Sequence, residues 1–165
     1  MLHYENDLVA FDYPEGMKVY SAGDTTFAFY PDIQINGELV VSLGDPKFFT
    51  YDTYFRFIRI LRQSIPSNSN LESIFQETYQ LVESRFSQVT GVLDVPAHVT
   101  VDGLDTLQKS YRIYSGEPAY ELRDIWIQKD NEILIISIWT KYTNPDDLAA
   151  FQSSADIFIS SLHIK

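Results

Sequence analysis

Residues 120–140 read as two apolar strands joined by a short polar turn, Lys129-Asp130-Asn131-Glu132. A two-residue loop at Asp130-Asn131, in the left-handed conformations those residues tolerate, sets position 129 opposite 132 and carries the register outward. One face then pairs Gln128 with Ile133, Trp126 with Ile135, Asp124 with Ser137 and Leu122 with Trp139. Side chains alternate, so the other face pairs Ile127 with Leu134, Ile125 with Ile136 and Arg123 with Ile138. A sheet with one wet side alternates apolar and polar residues, whereas this ribbon is largely apolar on both. It therefore belongs at the centre of a sheet, with cover on each face.

Two helices supply that cover. Asn144-Pro145-Asp146-Asp147 offers a capping Asn, a Pro at the first helical position and two carboxylates at the positive end of the helix dipole. Leu148, Phe151, Ala155, Phe158 and Leu162 follow at helical spacing and form one apolar stripe. Ser69-Asn70-Leu71-Glu72 reads as a capping box, followed by Leu71, Ile74, Phe75, Thr78, Val82 and Phe86 on one face.

The remaining chain is strand-rich. Leu8–Pro14 reads as a strand stopped by Pro-Glu-Gly, with Met17–Tyr20 as its hairpin partner, and Thr26–Tyr30 and Leu39–Leu43 as further strands. Tyr54–Ile65 fits a strand or a helix; its Phe, Ile and Tyr content and the stop at Pro66 favour the strand. As a strand it scatters Arg56, Arg59 and Arg62 over both faces, and as a helix it aligns them. His98–Val101 and Leu107–Tyr114 complete the set. The expected fold is α+β: a central antiparallel sheet between two helices, with an additional amino-terminal β-hairpin. The absence of repeats and long linkers makes 1–165 one domain, large enough to bury roughly 70% of its unfolded surface.

Composition removes several chemistries. Cysteine is absent, so thiol catalysis, disulfides and thiolate metal sites are excluded. The formal net charge of −11 argues against nucleic acid or an anionic membrane as partner. A run of 18 apolar residues, long enough to cross a membrane, does not occur, and Met1-Leu2-His3-Tyr4-Glu5 has no signal-peptide character. The sequence lacks the signatures of nucleophile elbows, phosphate loops, dinucleotide turns and zinc-protease helices, so no cofactor is implied. His3, His98 and His163 are far apart in sequence, and no metal site is expected. Asp102 with Asp105 and Asp146 with Asp147 are accounted for by a turn and a helix cap.

One constellation stands out. The ribbon register sets Asp124 opposite Ser137, beside Trp126 and diagonal to Trp139, on a face expected to be covered. A buried carboxylate must be neutralised or hydrogen-bonded. Either Ser137, an Arg or a Lys satisfies it and the indoles are core, or Asp124, Trp126, Ser137 and Trp139 line a ligand cleft where the face is incompletely roofed.

Phe11-Asp12-Tyr13-Pro14-Glu15-Gly16, His98-Val99-Thr100-Val101-Asp102-Gly103, Asp124-Ile125-Trp126-Ile127 through Ile138 and the closing helix with Ser160-Ser161-Leu162 resemble the PsbP-like superfamily over nearly the whole chain. That group includes the PsbP subunit of the oxygen-evolving complex, a Ran-binding nuclear import factor and DcrB-like bacterial lipoproteins. The resemblance implies an α/β/α sandwich, a frequently extracytoplasmic location in bacteria, and binding or assembly in place of catalysis. No residue matches the manganese-cluster or Ran-binding surfaces, so neither activity carries over. The resulting expectation is a non-enzymatic bacterial domain, extracytoplasmic or lipoprotein-borne, with a protein partner and a leader outside these residues. The alternatives are a small-molecule binder or hydrolase using the Asp124 face, and an acidic cytoplasmic secretion-chaperone-like protein.

Overall fold

The computed structural model describes residues 1–21, 35, 37–44, 56–85, 89–90, 97–113, 120–141 and 145–165. In chain order the elements are β1 (Leu2–Glu5), β2 (Val9–Tyr13), β3 (Lys18–Ser21), β4 (Glu38–Gly44), β5 (Arg56–Ser64), α1 (Leu71–Arg85), β6 (Val89–Thr90) and β7 (Ala97–Val101). They continue with β8 (Leu104–Ile113), β9 (Tyr120–Lys129), β10 (Glu132–Lys141), α2 (Pro145–Ser161) and β11 (His163–Ile164). The Thr26–Tyr30 strand, Phe86 and the Asn144 cap lie outside the described residues.

Among the described residues the large sheet has eight strands, in the order β3-β4-β5-β10-β9-β8-β6, with β7 also paired to β8. The β9–β10 ribbon sits at its centre. Its register is the one the turn dictates, from Lys129 opposite Glu132 to Tyr120 opposite Lys141, with Asp130 at φ 55°. Residues 56–64 are a strand, paired with β10 on one side and β4 on the other, so Arg59 and Arg62 do not share a helical stripe.

Both faces are covered. On one, Ile125, Ile127, Leu134, Ile136 and Ile138 pack with Phe151, Ala155, Phe158 and Leu162 of the α2 stripe and its end. On the other, Leu122, Trp126, Ile133, Ile135 and Trp139 pack with Phe75, Tyr79 and Val82 of α1. Cap chemistry explains where α1 starts. Ser73 N–H donates to Asn70 Oδ1 at 2.9 Å and Asn70 N–H donates to Ser73 Oγ at 3.2 Å, a reciprocal box one residue later than the Ser69–Glu72 pair suggests. Asn70→Ala is expected to cost about 1 kcal/mol, measured by urea unfolding with an unchanged m-value.

The amino-terminal hairpin is built differently from the expectation. β2 pairs with β1, not with Met17–Tyr20, and on its other edge with β11, forming a separate three-stranded sheet. The Pro14–Met17 turn, with Gly16 at φ 97°, hands the chain from the small sheet to the large one, where β3 pairs with β4. A strand's two edges are each satisfied once, and those of β2 are taken by the two chain ends. The β7–β8 turn clasps the carboxyl terminus: Asp102 Oδ2 accepts from Ile164 N–H at 2.7 Å, and His163 lies 3.0 Å from the same carboxylate. The backbone N–H of Ile164 and then His163 hold the Asp102 carboxyl below its ordinary pKa.

A buried polar row as the candidate functional site

Asp124 and Ser137 belong to a longer series. The registers align Ser42 (β4) with Arg59 (β5), Arg59 with Ser137 (β10), Ser137 with Asp124 (β9), and Asp124 with Lys109 (β8). This polar row crosses five strands on the α1 face. Apolar rows flank it: Leu61, Ile135, Trp126 and Leu107 on one side, and Phe57, Trp139, Leu122 and Tyr111 on the other.

Asp124 is fully buried, and two tyrosines that the sequence did not implicate engage one of its oxygens. Tyr79 of α1 donates its hydroxyl to Asp124 Oδ2 at 2.7 Å, and Tyr111 of β8 donates to the same oxygen at 2.8 Å. Trp126 Nε1 donates to the Tyr79 hydroxyl at 3.0 Å. The Lys109 ammonium lies 4.6 Å from the centre of the Tyr79 ring and 3.6 Å from Glu83. Arg59 sits over Trp139 at 5.7 Å, and Trp139 stacks on Phe57 at 5.4 Å. Ser137 is close enough to favour the Asp124 anion but lies outside hydrogen-bond geometry, leaving its Oγ and Asp124 Oδ1 without hydrogen-bond partners among the described residues.

Burial raises the Asp124 pKa, while Tyr79, Ser137, Tyr111 and Arg59 pull against that rise. The Tyr79 and Tyr111 hydroxyls are pushed well above their ordinary range, first by burial and then by the neighbouring carboxylate. Both phenols therefore stay protonated near neutrality, and the carboxylate itself is wholly buried. The four residues singled out from the sequence thus come together, with Trp126 and Asp124 wholly buried and Trp139 1% exposed. Phe75 and Tyr79 of α1 roof Trp126, with ring centres 5.4 and 6.0 Å away.

Sequence reasoning missed Tyr79, Tyr111, Arg59 and Lys109. The helical spacing Phe75-Tyr79-Val82 was a signal for Tyr79. The others depend on the pairing of β5 and β8 with the ribbon, which no short turn encodes. The histidines do not converge: His3 faces Asp12 at 2.7 Å, His98 faces Asp105 at 3.4 Å and His163 faces Asp102. Among the described residues, no group of three His, Asp or Glu side chains is placed to hold a metal. Nor is any helix there long and apolar enough to cross a membrane.

An antiparallel sheet between two helices, with a small sheet joining the chain ends, is the PsbP-like fold. The chain superimposes on cyanobacterial PsbP (CyanoP) from Synechocystis with a TM-score of 0.63 at 14% identity, covering 99% of this chain and 92% of that one. It is similar to LpqN of Mycobacterium tuberculosis, described as involved in cell envelope biogenesis, with a TM-score of 0.61 at 8% identity over 95% of this chain and 83% of that one. A Bacteroides thetaiotaomicron protein gives 0.54 at 11% identity, with 95% of this chain matching 45% of that longer one. No protein-family model and no curated protein sequence matches the chain.

Proposed function

We propose that this chain is a non-catalytic binding or assembly domain of a bacterial extracytoplasmic protein, lipoprotein-borne in its full-length form. The observation that carries this reading is the match of fold along nearly the full length of both CyanoP and LpqN. The interior supports it. Asp124 is the only buried carboxylate among the described residues, and it is engaged by Tyr79 and Tyr111 in the core. The partner is a protein, met through the acidic outer face of α1, which carries Glu72, Glu77 and Glu83.

Fusing the gene's whole reading frame to alkaline phosphatase tests the compartment, because that reporter needs disulfides that form only outside the cytoplasm. Active fusions, together with a crosslinked complex larger than the monomer in the envelope fraction, are the expected result. An inactive fusion that accumulates as a folded cytoplasmic protein overturns the reading.

A further inference from the structure

Tyr79, Asp124, Tyr111 and Trp126 form a hydrogen-bonded group whose pattern does more than engage a buried anion. Both phenols donate to one oxygen, Asp124 Oδ2, at 2.7 and 2.8 Å, while the Trp126 indole donates to the Tyr79 oxygen at 3.0 Å. The Tyr79 proton therefore faces a base along an existing hydrogen bond, and the Tyr79 oxygen already holds a second donor. The ring is shut in. Tyr79 is 3% exposed, and the rings of Phe75, Tyr111 and Trp126 lie 4.6, 5.5 and 6.0 Å from its own, centre to centre.

Taking an electron from an isolated buried phenol leaves a cation in the interior, which is costly unless its proton departs at the same time. At Tyr79 the proton has a destination. Its transfer to Asp124 Oδ2 replaces one buried carboxylate by a neutral acid and a neutral phenoxyl, and burial, which pushes the Asp124 carboxyl up, favours that outcome. The phenoxyl oxygen then accepts from two donors, Trp126 Nε1 and the new carboxyl O–H. The Lys109 ammonium, 4.6 Å from the ring centre, opposes loss of the electron, and Glu83, 3.6 Å from that ammonium, offsets it. We propose that Tyr79 is a site of one-electron oxidation with Asp124 Oδ2 as its proton acceptor, through which the domain takes up organic peroxyl radicals. One electron passes from Tyr79 to the peroxyl, which leaves as a hydroperoxide after taking a proton from solvent, while the phenol proton rests on Asp124. An enediol reductant of the ascorbate class returns the electron, and Asp124 returns the proton. Enclosure of the ring keeps the radical from coupling with a second phenol. The site is independent of the partner and compartment proposed above.

Photogenerated tris(bipyridine)ruthenium(III), a one-electron oxidant, tests this on the full chain, with the phenoxyl followed by its absorption and by freeze-quench electron paramagnetic resonance. We expect a phenoxyl that decays at least about tenfold more slowly than the signal left in Tyr79→Phe, because its loss by coupling requires local opening of α1. Its formation should slow in heavy water, and in Asp124→Asn, which lacks the base, it should slow about a hundredfold. Tyr111→Phe is the control: it also removes one hydrogen bond to Asp124, so a merely structural effect strikes both tyrosine variants alike. The slow-decaying signal should survive in Tyr111→Phe, with circular dichroism confirming that each variant is folded. Absence of a slow-decaying phenoxyl overturns the proposal. So do an undiminished signal in Tyr79→Phe, equal loss in Tyr111→Phe, an unchanged rate in folded Asp124→Asn, or a rate indifferent to heavy water. Should Asp124→Asn fail to fold, the tyrosine pair and the heavy-water comparison still decide the matter.

Discussion

Asp124→Ala is expected to lower the unfolding free energy by about 3–5 kcal/mol, since it leaves two buried tyrosine hydroxyls without their acceptor and opens a void between α1 and β9. For a chain of this length that corresponds to a fall in Tm of roughly 10 °C or more. Asp124→Asn keeps an acceptor oxygen for Tyr79 and Tyr111 and should cost only about 1–2 kcal/mol. A loss below about 1 kcal/mol for the alanine variant would show that the carboxylate does not organise this face.

The same pair of proteins carries a pH signature. The unfolded carboxyl titrates near 3.9, and burial raises the folded one above that. As pH rises from about 4, the unfolded chain releases this proton first, so the contribution of Asp124 to stability falls until the raised folded pKa is passed. Asp124→Asn removes that slope. Chemical denaturation from pH 4 to 7 should therefore show the wild-type advantage over Asp124→Asn shrinking with pH. An advantage that grows would mean the folded pKa is depressed.

Phe158→Ala should cost about 3–5 kcal/mol on the opposite face. Its side chain is wholly buried, and its ring centre lies 4.7 Å from that of Phe11, joining α2 to the small sheet. Trp126→Ala on the α1 face should cost a similar amount. Because the two residues belong to different core clusters on opposite sides of one sheet, their effects should add. The milder pair Phe158→Leu and Trp126→Phe keeps the double variant folded, and additivity within about 0.5 kcal/mol is the expected result of the cycle. A coupling above about 1 kcal/mol would show that the sheet does not separate two independent cores.

Much of this was legible in the residues. The Asp130-Asn131 turn set the register of twenty ribbon residues because a two-residue loop allows one pairing, and alternation then assigned every side chain to a face. The α2 stripe was readable because helical spacing and burial agree from Phe151 to Leu162. The hairpin partner of β2 was not. Short strands near a terminus carry no register signal beyond their turn, and the Pro-Glu-Gly turn reads alike whether the chain doubles back or passes to another sheet. Asp124 was identified as needing a partner, but its tyrosines come from α1 and β8, 45 and 13 residues away.

The sequence by itself determined the local geometry: the ribbon and its two apolar faces, the helix stripes that must cover them, and the lone carboxylate placed between indoles. These follow from periods of 2 and 3.6 and from turn chemistry, which act over a few residues. Tertiary structure alone decided which strands flank the ribbon. That choice threads Ser42, Arg59, Ser137, Asp124 and Lys109 into one row. Pairing between distant strands is selected by the packing of the whole core, and no local propensity records it.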